Sequence, residues 1–119
     1  MAVKNKVLIY FEPHEFVMGD DNVFHRMDGE LLMKLDLLRA IVNEPLHVTS
    51  SYRSKSYNSA VGGSKTSYHL QGRAVDLKCD NGTLRAKIVK AALKYKLSVG
   101  VAKNFIHIDN RSSQIVFTY

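Results

Sequence analysis

The stretch SYHLQGRAVDLK, Ser67 to Lys78, sets His69 and Asp76 seven residues apart with Gly72 between them. A β-strand alternates its side chains with period two. In RAVDLKC, Arg73 to Cys79, that period gives Val75, Leu77 and Cys79 one face and Ala74, Asp76 and Lys78 the other. The first set suits a core, so Asp76 is predicted on the open side of a sheet. FIHID, Phe105 to Asp109, repeats the pattern: Ile106 and Ile108 turn inward, His107 and Asp109 outward. If these strands pair, Asp76 and His107 lie within roughly 5 Å at Cβ. His69, on the far side of the Gly72 turn, can fold back over the same face.

The flanking sequence supplies the rest of the fold. GELLMKLDLLRAIVN, Gly29 to Asn43, carries Leu31, Leu35, Leu38 and Val42 in the stripe of an amphipathic helix, which Pro45 then stops. A short strand is predicted from Leu46 to about Ser50, then a long polar loop from Ser51 to Tyr68. A loop of that length in a small domain is more often functional than idle. After the Arg73 to Cys79 strand, Thr83 is the expected cap of a helix that buries Leu84, Ile88, Ala91 and Tyr95, with Lys87, Lys90 and Lys94 opposite. Short strands follow around Val99 to Val101, Phe105 to Asp109 and Gln114 to Thr118. The predicted class is α+β, a small and mostly antiparallel sheet with two main helices.

At 119 residues and 45% hydrophobic, the chain is expected to form one domain, residues 1–119. After Lys4 and Lys6, the apolar run from Val7 to Phe11 is cut by Glu12, too short for a signal peptide or a membrane span. The expectation is cytoplasmic synthesis with no membrane insertion. Cys79 is the single cysteine, which excludes an internal disulfide and a thiolate zinc cluster and leaves imidazole and carboxylate to hold any metal. Seventeen Lys and Arg against eleven Asp and Glu give a net charge of +6. That favours an anionic partner such as nucleic acid, a membrane surface or a bacterial cell wall. No zinc finger, aromatic RNA-binding strand or recognition helix is present, so nucleic acid is not expected. No G-x-S-x-G elbow occurs, and Cys79 falls on the core face, which argues against serine and cysteine hydrolases.

Two histidines and one carboxylate, at metal–ligand distances of about 2.0 to 2.2 Å, form a usual catalytic zinc set with a fourth position left for water. His69, Asp76 and His107 are therefore the candidate ligands. Here the sequence resembles a known family. SSYRS, YNSAVGGSKTSYHLQGRAVDLK and FIHIDN resemble peptidase family M15, the zinc D-Ala-D-Ala carboxypeptidases and endolysins, which share their fold with the hedgehog signalling domain. The likeness runs from about Phe11 through Asp109 and is nearest to short members found in bacteriophages and prophages. Its motif is Ser-x-His-x-x-Gly-x-Ala-x-Asp with a downstream histidine.

The resemblance implies a zinc metallopeptidase acting on peptidoglycan peptides, with His69, Asp76 and His107 on the metal. It implies Arg53 as the cation that stabilises the oxyanion or holds a peptide carboxylate, Ser67 as a substrate-contacting hydroxyl, and Gly62 and Gly63 as shapers of the loop above the metal. Several branches place an acidic base three residues before the second histidine, where this chain has Asn104. Asp109, on the ligand face, then becomes either the candidate base or an orienter of a metal histidine. The enzyme is expected to be a monomer reaching the wall by lysis, by holin-type release or as a virion component.

Other readings stay beside this one. The alternative from the same fold is a non-catalytic, zinc-stabilised binding or virion module; another is a closed structural zinc site with Asp109 as fourth ligand. Arg53 could pair with an acid at the surface, and Ser64 and Ser67 could be turn formers. Asn58 is read as a brace for the loop, Tyr52, Tyr57 and Tyr68 equally as packing or contacts, and His14, His25 and His47 as having no metal role. Cys79 reads as a small core hydrophobe, and the lysine row as a solvated helix face.

Overall fold

The computed structural model describes residues 8–16 and 24–119, so Lys4, Lys6 and Val7 of the predicted N-terminal run lie outside it. Strands β1 (Val48–Ser50), β2 (Ala74–Lys78), β3 (Ser98–Val101), β4 (Phe105–Asp109) and β5 (Val116–Thr118) form one sheet in the order β1-β2-β4-β3-β5. Every neighbouring pair is antiparallel except β3 with β5, which run parallel. The helices are α1 (Gly29–Val42), α2 (Lys55–Ala60) and α3 (Gly82–Lys94). This is the α+β class that the periodicities predict.

α1 begins where Asp28 accepts the Leu31 N–H at 3.1 Å and ends at Asn43, whose φ of 58° is left-handed. Asparagine tolerates that conformation at a helix end. The leucine stripe then goes inward: Leu31, Leu35 and Leu38 are fully buried, together with Val75, Leu77, Val99, Ile106 and Ile108 of the sheet. Each such side chain contributes about 1.5 to 3 kcal/mol on burial, which holds one face of β2 and β4 firmly in register. α3 packs on α1, β3 and β4.

Two expectations need correction. α3 is capped by Asn81, whose Oδ1 accepts the Leu84 N–H at 2.8 Å, and Thr83 lies inside the first turn. An Asn two residues upstream reaches the free N–H first, and its extended backbone is that of a cap. The polar segment from Ser51 to Tyr68 is not all loop: α2 stands inside it, capped by Ser54 accepting the Tyr57 N–H at 3.2 Å.

The sheet's other face carries a single transverse row. Ser50 pairs with Asp76, Asp76 with His107, His107 with Gly100, and Gly100 with Phe117, so five strands each present one residue along one line. Core packing on the opposite face fixes this register, since a one-residue slip would exchange Val75 for Asp76.

Candidate metal centre

His69 reaches the row from a 3₁₀ turn, Tyr68–Gln71, in which Ser67 Oγ accepts the His69 N–H at 3.2 Å. Gly72 ends the turn with φ of 67°, and a Cβ there would run into the Arg26 carbonyl oxygen. Both the backbone conformation and the lack of room demand glycine. The turn delivers His69, 2% exposed, against Asp76 and His107, 6% and 5% exposed.

One atom of each residue converges, all within 4.8 Å of one another. Asp76 Oδ1 lies 3.3 Å from His69 Nε2 and 3.2 Å from His107 Nδ1. The far nitrogens are both taken: His69 Nδ1 is 2.8 Å from the Ser51 carbonyl oxygen, and His107 Nε2 is 2.7 Å from Asp109 Oδ2. A carbonyl only accepts, so His69 Nδ1 carries the proton and Nε2 turns a lone pair toward Asp76. That Nε2 is buried without a hydrogen-bond partner. Lone pairs and a carboxylate oxygen facing one another in a buried spot call for extra protons or a cation between them. The donor set suits a divalent metal that accepts nitrogen and oxygen.

Electrostatics report the same crowding. Burial pushes the Asp76 carboxyl up, yet its hydrogen bond with His107 and the positive charge that the two neighbouring imidazoles carry when protonated outweigh it and hold it at about 2. His107 is raised: burial opposes its charged form, but its bonds to Asp109 and Asp76 prevail.

Arg53 stands over this centre. Its Nε donates to Ser50 Oγ at 3.0 Å, Nη1 to Asn58 Oδ1 at 3.2 Å, and Nη2 to Asp76 Oδ2 at 3.4 Å. Asn58 is 3% exposed and also donates from Nδ2 to the Ser64 carbonyl at 2.9 Å, so it braces both the loop and Arg53. Gly63 fits against them because a Cβ there would collide with the Asn58 amide. Arg53 and Ser67 line a cleft of about 570 Å³ above the donor cluster, with Phe105, Phe117 and Tyr119 as an aromatic wall.

Asp109 sits elsewhere. It is fully buried and absent from the cleft lining. Its Oδ1 accepts from the Arg111 backbone N–H at 3.0 Å and from Nε at 2.9 Å, and its Oδ2 from Arg111 Nη2 at 2.6 Å as well as His107. Burial opposes ionisation, but the bonds from Arg111 and His107 hold this carboxyl well below the usual carboxylate range. Asp109 faces the far nitrogen of His107 and stays outside the three-residue donor cluster. Sequence reasoning missed Arg111 and the Ser51 carbonyl. Arg111 falls between two predicted strands, and a backbone oxygen leaves no mark in a sequence.

His14, His25 and His47 are exposed, Cys79 is buried and in no disulfide, and Lys87 pairs with Glu44 at 3.0 Å. Among the described residues no helix is long and apolar enough to cross a membrane.

Fold and site together define a small α+β domain built around a buried histidine–aspartate–histidine cluster that could hold a metal. A sequence model of the Peptidase M15 family matches residues 10–109, and the chain belongs to that family. It is also similar to the probable peptidoglycan L,D-endopeptidase MepK of Haemophilus influenzae, at 30% identity over 80% of this chain. The match spans 58% of that relative's length.

Proposed function

We propose that the domain is a zinc-dependent peptidase that hydrolyses an amide bond in peptidoglycan peptides, as a phage or prophage lytic enzyme would. The observation that carries this reading is the convergence of three buried donors, with His69 Nε2 left unpartnered. Family membership and the endopeptidase activity for which the Haemophilus relative is named support the substrate class. A net charge of +6 suits an anionic wall.

His69 through Nε2, Asp76 through Oδ1 and His107 through Nδ1 would hold the ion. When bound, zinc polarises a carbonyl and lowers the pKa of water to about 7. The chain's own residues do the rest. Arg53, aimed by Ser50 and Asn58, presents a guanidinium to the negative charge that gathers on the carbonyl oxygen. Ser67 uses a lone pair on its own turn and keeps its O–H for substrate. Asp109 acts as the orienter and not as the proton acceptor, because both of its oxygens are taken by Arg111 and His107 and the carboxylate itself does not line the cleft.

Purified protein should release soluble peptide from peptidoglycan, lose that activity to a chelator and regain it with zinc. His69→Ala and Asp76→Ala should abolish it, and Arg53→Ala should lower kcat by on the order of a hundredfold. Turnover that persists after complete metal removal would sink the proposal. Product analysis separates carboxypeptidase from endopeptidase cleavage.

A second reading is a zinc-stabilised binding or virion module without turnover. Asn104 cannot take a proton and borders a different depression, and among the described residues Asp76 is the one carboxylate lining the cleft. This module would retain wall or partner affinity and release no peptide.

A further inference from the structure

Asp109 is gripped at both oxygens by one arginine. Arg111 places Nε 2.9 Å from Oδ1 and Nη2 2.6 Å from Oδ2, a two-point contact that sets the plane of the carboxylate as well as balancing its charge. The guanidinium is itself held between two rings, 4.7 Å from the centroid of Tyr68 and 5.5 Å from that of Phe117. Tyr68 immediately precedes His69, and the Phe117 ring lies 5.5 Å from that of His107. One cation thus ties the carboxylate behind one metal-facing histidine to the turn that carries the other. Gly100 makes the arrangement possible: a Cβ there would come within 2.5 Å of the Phe117 ring.

The consequence falls on His107. A neutral imidazole has one N–H, and the nitrogen without it bears the lone pair that can bind a metal. Two charged carboxylates compete for that proton, Asp109 Oδ2 at 2.7 Å from Nε2 and Asp76 Oδ1 at 3.2 Å from Nδ1; the shorter contact places the proton on Nε2 and leaves the lone pair on Nδ1. A buried carboxylate without a counter-charge would be unfavourable and free to turn. We propose that Arg111 is a positioning residue: by locking Asp109 it keeps the His107 proton on Nε2 and presents Nδ1 to the metal. The metal part of this inference rests on the zinc reading above; the tautomer part does not.

The test uses the whole chain with Arg111→Gln and Arg111→Lys. In metal-free wild-type protein, at a pH above the histidine range, long-range ¹H–¹⁵N correlation should show His107 protonated at Nε2. Arg111→Gln should mix the two tautomers and weaken zinc binding, measured by competition with a chromophoric chelator, about ten- to a hundredfold. Arg111→Lys, which restores charge without the two-point grip, should recover part of both. An Nδ1-protonated His107 in the wild type overturns the proposal. So does an Arg111→Gln protein with unchanged tautomer and zinc affinity, or one whose sole defect is a raised KM, the mark of a substrate contact. If Arg111→Gln does not fold, Arg111→Lys decides, and wild-type values for both readouts in that variant overturn the proposal. Because the tautomer is read without metal, failure of the zinc peptidase reading and failure of this one are separately visible.

Discussion

Asp76 and Asp109 are both buried acids next to His107, yet their surroundings assign them opposite tasks. Asp76 meets two imidazole nitrogens and the more distant Arg53, whereas Asp109 is saturated by Arg111. Strand alternation makes the shared face of Asp76, His107 and Asp109 legible from sequence. It cannot tell which acid faces which nitrogen, because that depends on ring rotation and on Arg111, two residues beyond the strand. The Asp109–Arg111 pair also sets a pH dependence in the metal-free protein. The folded carboxyl holds its proton less tightly than the unfolded one, so the unfolded chain binds more protons as pH falls through the ordinary carboxylate range. The pair's stabilisation is therefore full at neutral pH and lost in acid. Asp109→Asn should destabilise by about 3 kcal/mol at neutral pH, where it leaves Arg111 unpaired. Urea unfolding should show that gap narrowing below pH about 4, and a gap that widens in acid would contradict the assignment.

Among elements, those with a repeating apolar pattern were readable and those without one were not. The leucine stripe of α1 and the alternation of β2 and β4 follow from burial against a common core. α2 has six residues and buries only Asn58, so no period marks it, and its anchor is a polar side chain reaching Arg53. The parallel pairing of β5 with β3 depends on the path of the Asn110 to Ile115 connection, to which strand propensity is blind. The cap of α3 can be tested by comparing two substitutions. Asn81→Ala should lower stability by about 1 kcal/mol, and Thr83→Ala by only a few tenths, as measured by chemical denaturation. Gly100 belongs to the same scale, since it is the gap in the transverse row that admits Phe117. Gly100→Ala should push that ring off His107 and lower stability by about 1 to 3 kcal/mol. Zinc affinity should fall with it, which a purely local strain would not cause.

For the molecule as a whole, one sheet divides the labour between its faces. The core face is apolar and supplies the burial that keeps register; the other gathers buried polar groups, among which His69 Nε2 has no hydrogen-bond partner. Asp76 and the two histidines bring one ligand atom each to within 4.8 Å of one another around an unpartnered His69 Nε2, an arrangement that something positive at its centre would favour. A cation that binds the folded chain and not the unfolded one stabilises it by RT ln(1 + [L]/Kd), about 2.7 kcal/mol at a hundredfold excess over Kd. Zinc should therefore raise the melting temperature in proportion to the logarithm of its concentration, and a chelator should reverse the rise. Asp76→Asn keeps the shape of the side chain while removing the charge that draws the ion, so its melting temperature should no longer respond to zinc. An unresponsive wild type would mean that protons, and not zinc, balance the cluster.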